Sequence, residues 1–423
     1  KPVTDPADAR RVVGSVVEAS LADVDRARSL THAAQPAWAA TPVIERAAVL
    51  DRMADLLERD HVQLMALCVR EAGKSIPDAL AEVREAVDFC RYYAARARET
   101  FVPVALPGPT GERNELVLTG RGVIAAISPW NFPLAIFLGQ VAAALVAGNA
   151  VVAKPAPQTP LVAYAATLLL HEAGLPTGVF ALLPGGPEIG QAMTADPRVM
   201  GVVFTGSTGT ARRIARTLLE DEARPLVPLI AETGGLNAMI VDSTALPEQV
   251  VNDVIVSAFQ SAGQRCSALR LLCLQEDIAD KVLEMLKGAM AELTIGDPGD
   301  IATDIGPVID AAARDGLNAH IEAHRAKVLH QLPLPAACAN GTFVAPTVIR
   351  LDRVEDLTRE VFGPVLHVTT WKAGELGRLV DRINASGYGL TMGLHSRIGE
   401  AADIVRGKAK VGNLYVNRSM IGA

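Results

Sequence analysis

From Arg121 onward the chain repeats one pattern, a short apolar run followed by a helical stretch. GVIAAIS, Ala150–Lys154, Val179–Leu183 and Val199–Phe204 read as strands. Between them Leu134–Val146, Pro160–Ala173, Glu188–Thr194 and the stretch from Thr208 through Glu220 read as helices. Strands joined through helices pair in parallel, and such sheets gather ligands at the carboxyl ends of their strands. After Gly234-Gly235 a second set begins, with strands expected at Asn237–Val241, Ser267–Leu274, Gly363–Trp371, Leu390–His395 and Gly412–Val416. Its helices are expected at Leu246–Ala262, Ile278–Leu293, Leu376–Ala385 and Ala401–Gly407. The expectation is an α/β protein of two domains, residues 1–233 and 234–423, with Glu232 just before the boundary and Cys266 beyond it.

Ahead of the first strand set, Ala22–Ala34 reads as a helix ended by Pro36. Glu45–Glu71 reads as one long amphipathic helix closed by Gly73, and Asp78–Arg98 as another. Residues 101–120 carry turn residues and then alternation, which predicts a projecting hairpin and an oligomer contact. Pro133–Ala153 lacks charge and is long enough to span a bilayer, but Gly148-Asn149 splits it into a buried helix and a strand. The opening KPVTDPADARRVVG is charged and has no apolar core, so it does not read as a signal peptide.

Half of the residues are hydrophobic and the formal net charge is −7, which argues against a basic nucleic-acid surface. The five cysteines form no CxxC pair, so disulfide staples and a structural zinc site are not expected, and a reducing cytoplasmic setting fits. His320 and His324 stand four apart, but HIEAH is not HExxH; a solvated helix face is expected there, and no metal site.

Cys266 lies in SAFQSAGQRCS, beside Arg265 and after a Gly. A neighbouring cation and loop amides favour the thiolate, which is the nucleophilic form; the plainer reading is a small buried residue. Cys68, Cys90 and Cys273 read as packing residues. Glu232 in AETGG can serve as a base or simply end a strand. Asn131 in SPWNFP can donate to an oxyanion or merely form a turn before Phe132-Pro133. Lys154 at a strand end can bind ribose hydroxyls, and Gly206-Ser207 opens a helix whose amides suit a pyrophosphate. No GxGxxG fingerprint accompanies them.

Taken together and in order, SPWNFP, AKPAPQTP, FTGST, AETGG, SAGQRCS and EVFGPV resemble the aldehyde dehydrogenase superfamily. The stretches REAVDFCRYYA, IAETGGLNAMIVDS, SAFQSAGQRCSALR, TDIGPVID and VGNLYVNRSMIGA look like the Δ1-pyrroline-5-carboxylate dehydrogenase half of bifunctional proline utilization A proteins. The resemblance implies an aldehyde dehydrogenase-like fold of two Rossmann-like domains, one for the cofactor and one carrying the nucleophile. It implies NAD as cofactor, with NADP not excluded, and oxidation of glutamate γ-semialdehyde to glutamate in proline catabolism.

By the same resemblance Cys266 is the nucleophile, Glu232 the base and Asn131 the oxyanion donor. Ser128, Pro129, Trp130, Lys154, Gly206, Ser207, Glu360 and Phe362 hold the cofactor. Phe132, Arg265, Ser267, Gly422 and Ala423 hold the substrate. A homo-oligomer is implied, as is fusion to a flavin-dependent proline dehydrogenase in a parent protein. Two departures stand out. Pro157 occupies the place, three after Lys154, where the family often has a Glu that contacts a ribose hydroxyl. The family pattern also continues beyond Ala423 through a Pro-Phe-Gly-Gly segment and a terminal strand. Dehydrogenases of other carboxylated semialdehydes, such as succinylglutamate or aminoadipate semialdehyde, remain rivals. So do a Cys-dependent hydrolase and a silent scaffold.

Overall fold

The computed structural model describes residues 1–220, 222 and 224–422. The chain divides into two compact units. The first comprises residues 1–4, 12–72 and 76–233; the second comprises 5–11, 73–75 and 234–423. A hairpin of β1 (Pro2–Asp5) and β2 (Asp8–Ser15) opens the chain.

In the first unit α1 (Leu21–Ala40) starts on a capping box between Ser20 and Asp23. It runs through Pro36 instead of stopping there. The ring is exposed, and Trp38 Nε1 donates to Leu145 O at 2.8 Å while Gln35 Nε2 donates to Gly148 O at 3.0 Å. Those anchors hold the helix beyond the residue that should end it. The long helix expected over 45–71 is two, α2 (Val43–Arg59) and α3 (His61–Ala72). Asp60 separates them, held by the Arg59 guanidinium through two 2.7 Å bonds. The helix α4 (Ile76–Thr100) follows, then the exposed hairpin β3 (Val104–Leu106) and β4 (Asn114–Leu116).

The βα rhythm then gives β5 (Val123–Ile127), α5 (Ala135–Val146), β6 (Ala150–Lys154), α6 (Pro160–Glu172), β7 (Phe180–Leu182), α7 (Pro187–Ala195), β8 (Val199–Gly206), α8 (Thr208–Glu220) and β9 (Leu229–Thr233). The five strands are parallel in the order β7-β6-β5-β8-β9. The chain therefore builds outward from β5 one way and returns to the other side with β8. That reversal creates a crevice at the carboxyl ends of β5 and β8. Strands β5 and β6 are wholly buried between helices, which is why their sequences are continuous apolar runs.

The second unit holds β10 (Ala238–Val241), α9 (Pro247–Phe259), β11 (Leu271–Gln275), α10 (Glu276–Ala291), α11 (Ala311–Ala323), β12 (Val328–Gln331), β13 (Thr347–Arg350), β14 (Val365–Trp371), α12 (Leu376–Asn384), β15 (Thr391–His395), α13 (Gly399–Lys408) and β16 (Asn413–Val416). Its seven strands run β12-β13-β14-β11-β10-β15-β16, parallel except for β12. The expected strand from Ser267 begins only at Leu271. The amides of Ala268, Leu269 and Arg270 are spent on Arg265 O, Ser257 O and Asn237 O, so no ladder forms before it.

The histidine pair is not a solvated face. His320 is buried and its Nε2 lies 2.9 Å from Nε2 of the buried His367. His367 Nδ1 is 3.1 Å from Arg270 O, so it donates there and His320 supplies the shared proton. Burial pushes both rings down, His320 to about 4 and His367 to about 3. Among the described residues no cluster of three or more His, Cys, Asp or Glu is placed to hold a metal ion. No helix among them is long and apolar enough to cross a membrane.

Candidate active site

In the first unit the register brings the candidate residues to one sheet edge. Ile127 pairs with Lys154 and with Phe204, and Thr205 pairs with Glu232. The loop Ser128–Asn131, Lys154, Gly206-Ser207 and Glu232 thus all end neighbouring parallel strands. Ser128 N–H donates to Lys154 O at 3.1 Å, while its buried Oγ has no hydrogen-bond partner among the described residues. Asn131 and Phe132 are buried, Pro129 and Trp130 half-buried, and Glu232 exposed on the edge strand β9.

That loop is anchored by a residue far away in sequence. Glu82 of α4 is fully buried, and its Oε1 accepts from the amides of Leu134 at 2.9 Å and Ala135 at 2.8 Å. An anion at the first turn of α5 satisfies amides that the helix itself cannot pair. Glu71 of α3 does the same for α6, accepting from Leu161 and Val162, and burial pushes it up to about 7 against those two bonds.

Lys154 is buried. Its Nζ donates to Pro155 O at 3.0 Å and Gly185 O at 3.2 Å, which leaves a third proton for a ligand hydroxyl. Burial lowers it to about 8, with Glu188 opposing. The turn at Gly206-Ser207 opens α8, where Ser207 O accepts from Thr210 and Ala211. A dinucleotide fits this edge. The unpartnered Ser128 hydroxyl, the spare Lys154 proton and the helix amides supply the donors that a ribose and pyrophosphate require.

In the second unit Cys266 sits on a loop bent by three left-handed residues in succession, Ser261 (φ 57°), Ala262 (φ 52°) and Gly263 (φ 66°). The expected helix through Ala262 therefore stops at Phe259. A Cβ on Gly263 would lie 2.2 Å from Gly363 O, so glycine is required there twice over. The loop is held by Arg270, which is fully buried. Its guanidinium donates to Gly263 O at 2.7 Å, Gly363 O at 3.3 Å and Arg265 O at 2.9 Å. It also stands 3.7 Å from Glu360 and 5.0 Å from the Phe362 ring centroid. Asn237 Nδ2 donates to Cys266 O at 2.6 Å and Ala268 O at 3.0 Å.

Cys266 is half-buried and, like the other cysteines, forms no disulfide. Its environment acts on the thiol in both directions. Burial raises it above the usual range and the Glu360 carboxylate adds to this; the amides of Ser267 and Cys266 and the Arg270 cation pull the other way without prevailing. Burial likewise raises Glu360, opposed by Arg270 and the Gly235 amide. Arg270 is a cation that acts on the thiol. Of the substrate candidates, Ser267 is half-buried and its carbonyl accepts from Thr391 Oγ1 at 3.4 Å. Gly422 O accepts from Tyr415 Oη at 2.9 Å. Ala423 lies outside the described residues.

Sequence reasoning missed Glu82, Asn237 and Arg270. Glu82 and Asn237 reach the candidate loops from 52 and 29 residues away, while Arg270 lies close to Cys266 in sequence but at the start of an apolar strand, where nothing marked it as a clamp.

The arrangement is that of an α/β enzyme with a nucleotide edge and a thiol on a rigid loop. The profile of the aldehyde dehydrogenase family matches residues 1–423, and the chain belongs to that family. A bifunctional protein PutA of Klebsiella aerogenes is 54% identical over 436 residues, covering all of this chain but only 32% of that protein. A 1-pyrroline-5-carboxylate dehydrogenase of Geobacillus sp. (strain WCH70) is 36% identical over 424 residues, covering 99% of this chain and 82% of that protein. The structure of a mutant of Thermus thermophilus 1-pyrroline-5-carboxylate dehydrogenase superposes with a TM-score of 0.95 at 34% identity, covering 100% of this chain and 82% of that one.

Proposed function

We propose that the chain is a nicotinamide-dependent dehydrogenase that oxidises glutamate γ-semialdehyde, the open form of pyrroline-5-carboxylate, to glutamate. The observation that carries this reading is Cys266, set on a left-handed loop that buried Arg270 clamps through three carbonyls. A nucleophile that must add to a carbonyl gains from such fixed placement. Two relatives named 1-pyrroline-5-carboxylate dehydrogenase, matched over nearly the whole chain, support the substrate.

In this reading Cys266 Sγ attacks the aldehyde carbon, and its proton passes to solvent water as the S–C bond forms. Asn131 and the Cys266 amide donate to the oxyanion. A bound nicotinamide would supply the hydride acceptor that this oxidation to the thioester requires. Glu232 takes a proton from water, which attacks the resulting thioester, releasing the carboxylate and the thiol. Ser128, Pro129, Trp130, Lys154, Gly206, Ser207, Glu360 and Phe362 hold the dinucleotide. Phe132, Arg265, Ser267, Gly422 and Ala423 hold the semialdehyde with its α-carboxylate. Residues 1–233 act as the cofactor domain and 234–423 as the catalytic domain. The raised thiol fits a nucleophile that is deprotonated as it reacts, not one that is an anion at rest.

The hairpin of residues 101–120 is a contact to a second copy. Val102, Val104, Leu106, Leu116, Val117 and Leu118 are all exposed on it. The identity to a bifunctional PutA supports a longer parent protein; by the family resemblance its other half is a flavin-dependent proline dehydrogenase that supplies the substrate in the cytoplasm.

The test is absorbance of reduced nicotinamide with pyrroline-5-carboxylate, NAD and NADP being supplied separately. Reduction that disappears in C266A supports the reading. Undiminished reduction in C266A overturns it, and a faster reaction with succinylglutamate or aminoadipate semialdehyde reassigns the substrate.

A further inference from the structure

The second unit holds a cavity of about 280 Å³. Its lining includes His320 and His324 of α11, Thr358 and Arg359 of the loop before β14, and His367 of β14. None of these residues is given to cofactor or substrate above. The volume lies just below the roughly 300–1,000 Å³ of pockets for drug-sized ligands, so the cavity admits a small molecule and not a dinucleotide. Arg359 is exposed, and among the described residues its guanidinium has no ion pair or hydrogen bond.

The hydrogen bonds fix what the buried rings can offer. His367 Nδ1 donates to Arg270 O at 3.1 Å, so its Nε2 is a lone pair. His320 Nε2 stands 2.9 Å from that lone pair and carries the proton between them. His320 Nδ1 is then an acceptor, and among the described residues it has no partner. Burial, with the charges of His324 and Arg359 adding to it, holds the ring at about 4, so the lone pair persists at neutral pH. His324, Arg359 and Arg270 are the groups whose charge bears on the two rings. The cavity thus joins a cation that lacks an anion to an imidazole that lacks a donor.

A metal ion would satisfy the imidazole, but the Arg359 charge repels it. A carboxylate or a sulfate would satisfy the guanidinium, but near neutral pH neither carries a proton for the imidazole. A phosphate that keeps one proton satisfies both, and its oxygens match the planar fork of an arginine. One carboxylate lines the cavity, Asp356, and it is engaged elsewhere. It accepts from the Arg353 N–H at 3.0 Å and lies 3.9 Å from that residue's guanidinium. We propose that this cavity binds a hydrogen phosphate group, whose anionic oxygens accept from Arg359 and Thr358 and whose P–OH donates to His320 Nδ1. The site stands independently of the dehydrogenase reading.

The test is calorimetric titration at pH 6 and constant ionic strength with inorganic phosphate, glycerol 3-phosphate and sulfate. At that pH about half of a phosphate monoester carries a P–OH. Wild type is expected to bind the better of the two phosphates about tenfold more tightly than sulfate. R359Q should weaken that binding about tenfold, and H320F should erase the preference over sulfate. Tighter binding of glycerol 3-phosphate assigns the group to an ester, and tighter binding of inorganic phosphate assigns it to the free ion; either supports the proposal. No phosphate binding up to about 10 mM overturns it, as does sulfate binding equal to phosphate binding in wild type. Phosphate affinity that R359Q leaves within about twofold also overturns it, because phosphate then sits at another place, such as the turn that opens α8. Arg359 is exposed, so R359Q decides the matter even where H320F lowers the unfolding midpoint.

Discussion

In the first unit the candidate residues stand at the carboxyl edge of the sheet; in the second they stand at the amino edge. Ser128, Lys154, Gly206 and Glu232 end their strands. Asn237, the Cys266 loop and Glu360 precede β10, β11 and β14. The anchors invert as well. Buried Glu82 accepts from two helix-opening amides, whereas buried Arg270 donates to three loop carbonyls. A loop entering a helix presents N–H groups and suits an anion. A loop bent before a strand presents C=O groups and suits a cation.

Removing the cation should have the largest effect. R270M leaves three carbonyls and Glu360 without it, and should cost about 3–5 kcal/mol in chemical unfolding. R270K should recover only part, because one ammonium cannot reproduce a planar fork. Equal stability of R270M and wild type would break the comparison at its stronger end. E82A strands two buried amides and should cost about 2–3 kcal/mol, while E82Q keeps an acceptor and should cost about 1 kcal/mol by the same measurement. G263A forces a Cβ onto a left-handed residue and into Gly363 O, and should cost about 2 kcal/mol with slower alkylation of Cys266.

Two smaller effects sharpen the electrostatics. Since Glu360 helps to raise the Cys266 thiol, E360Q should lower it and speed iodoacetamide alkylation at pH 8 by about threefold or more. A slower reaction would mean that Glu360 does not act on the thiol as a charge. His320 and His367 are depressed from 6.5 to about 4 and about 3. Groups that stay neutral when folded but bind a proton near pH 6.5 when unfolded give stability that is complete above that pH. It is lost as pH falls toward 4. Unfolding at pH 5 should therefore take up protons, and H367Q should flatten that slope in calorimetry.

The first sheet was legible because its strands, buried on both sides, are continuous apolar runs, and because its ligand edge follows from the connection rule. Lys154 and Gly206 could be picked out for the same reason. The second unit's edge was less legible. Arg270 adjoins an apolar strand and Glu82 lies in a helix rich in Ala, Glu and Arg, so nothing local separates them from surface charges. The left-handed turn at 261–263 contains only one glycine, and a Ser and an Ala in that conformation leave no sequence mark. Pro36 misled because tertiary anchors overrode a local stop signal. His320 misled because its partner His367 is 47 residues away.

The most direct test of the central claim is mass spectrometry of E232Q after mixing with pyrroline-5-carboxylate and NAD. With the hydrolytic base removed, the account predicts one glutamyl group retained on the peptide that carries Cys266, and none in C266A/E232Q. No adduct despite nicotinamide reduction, or an adduct on another residue, would contradict it.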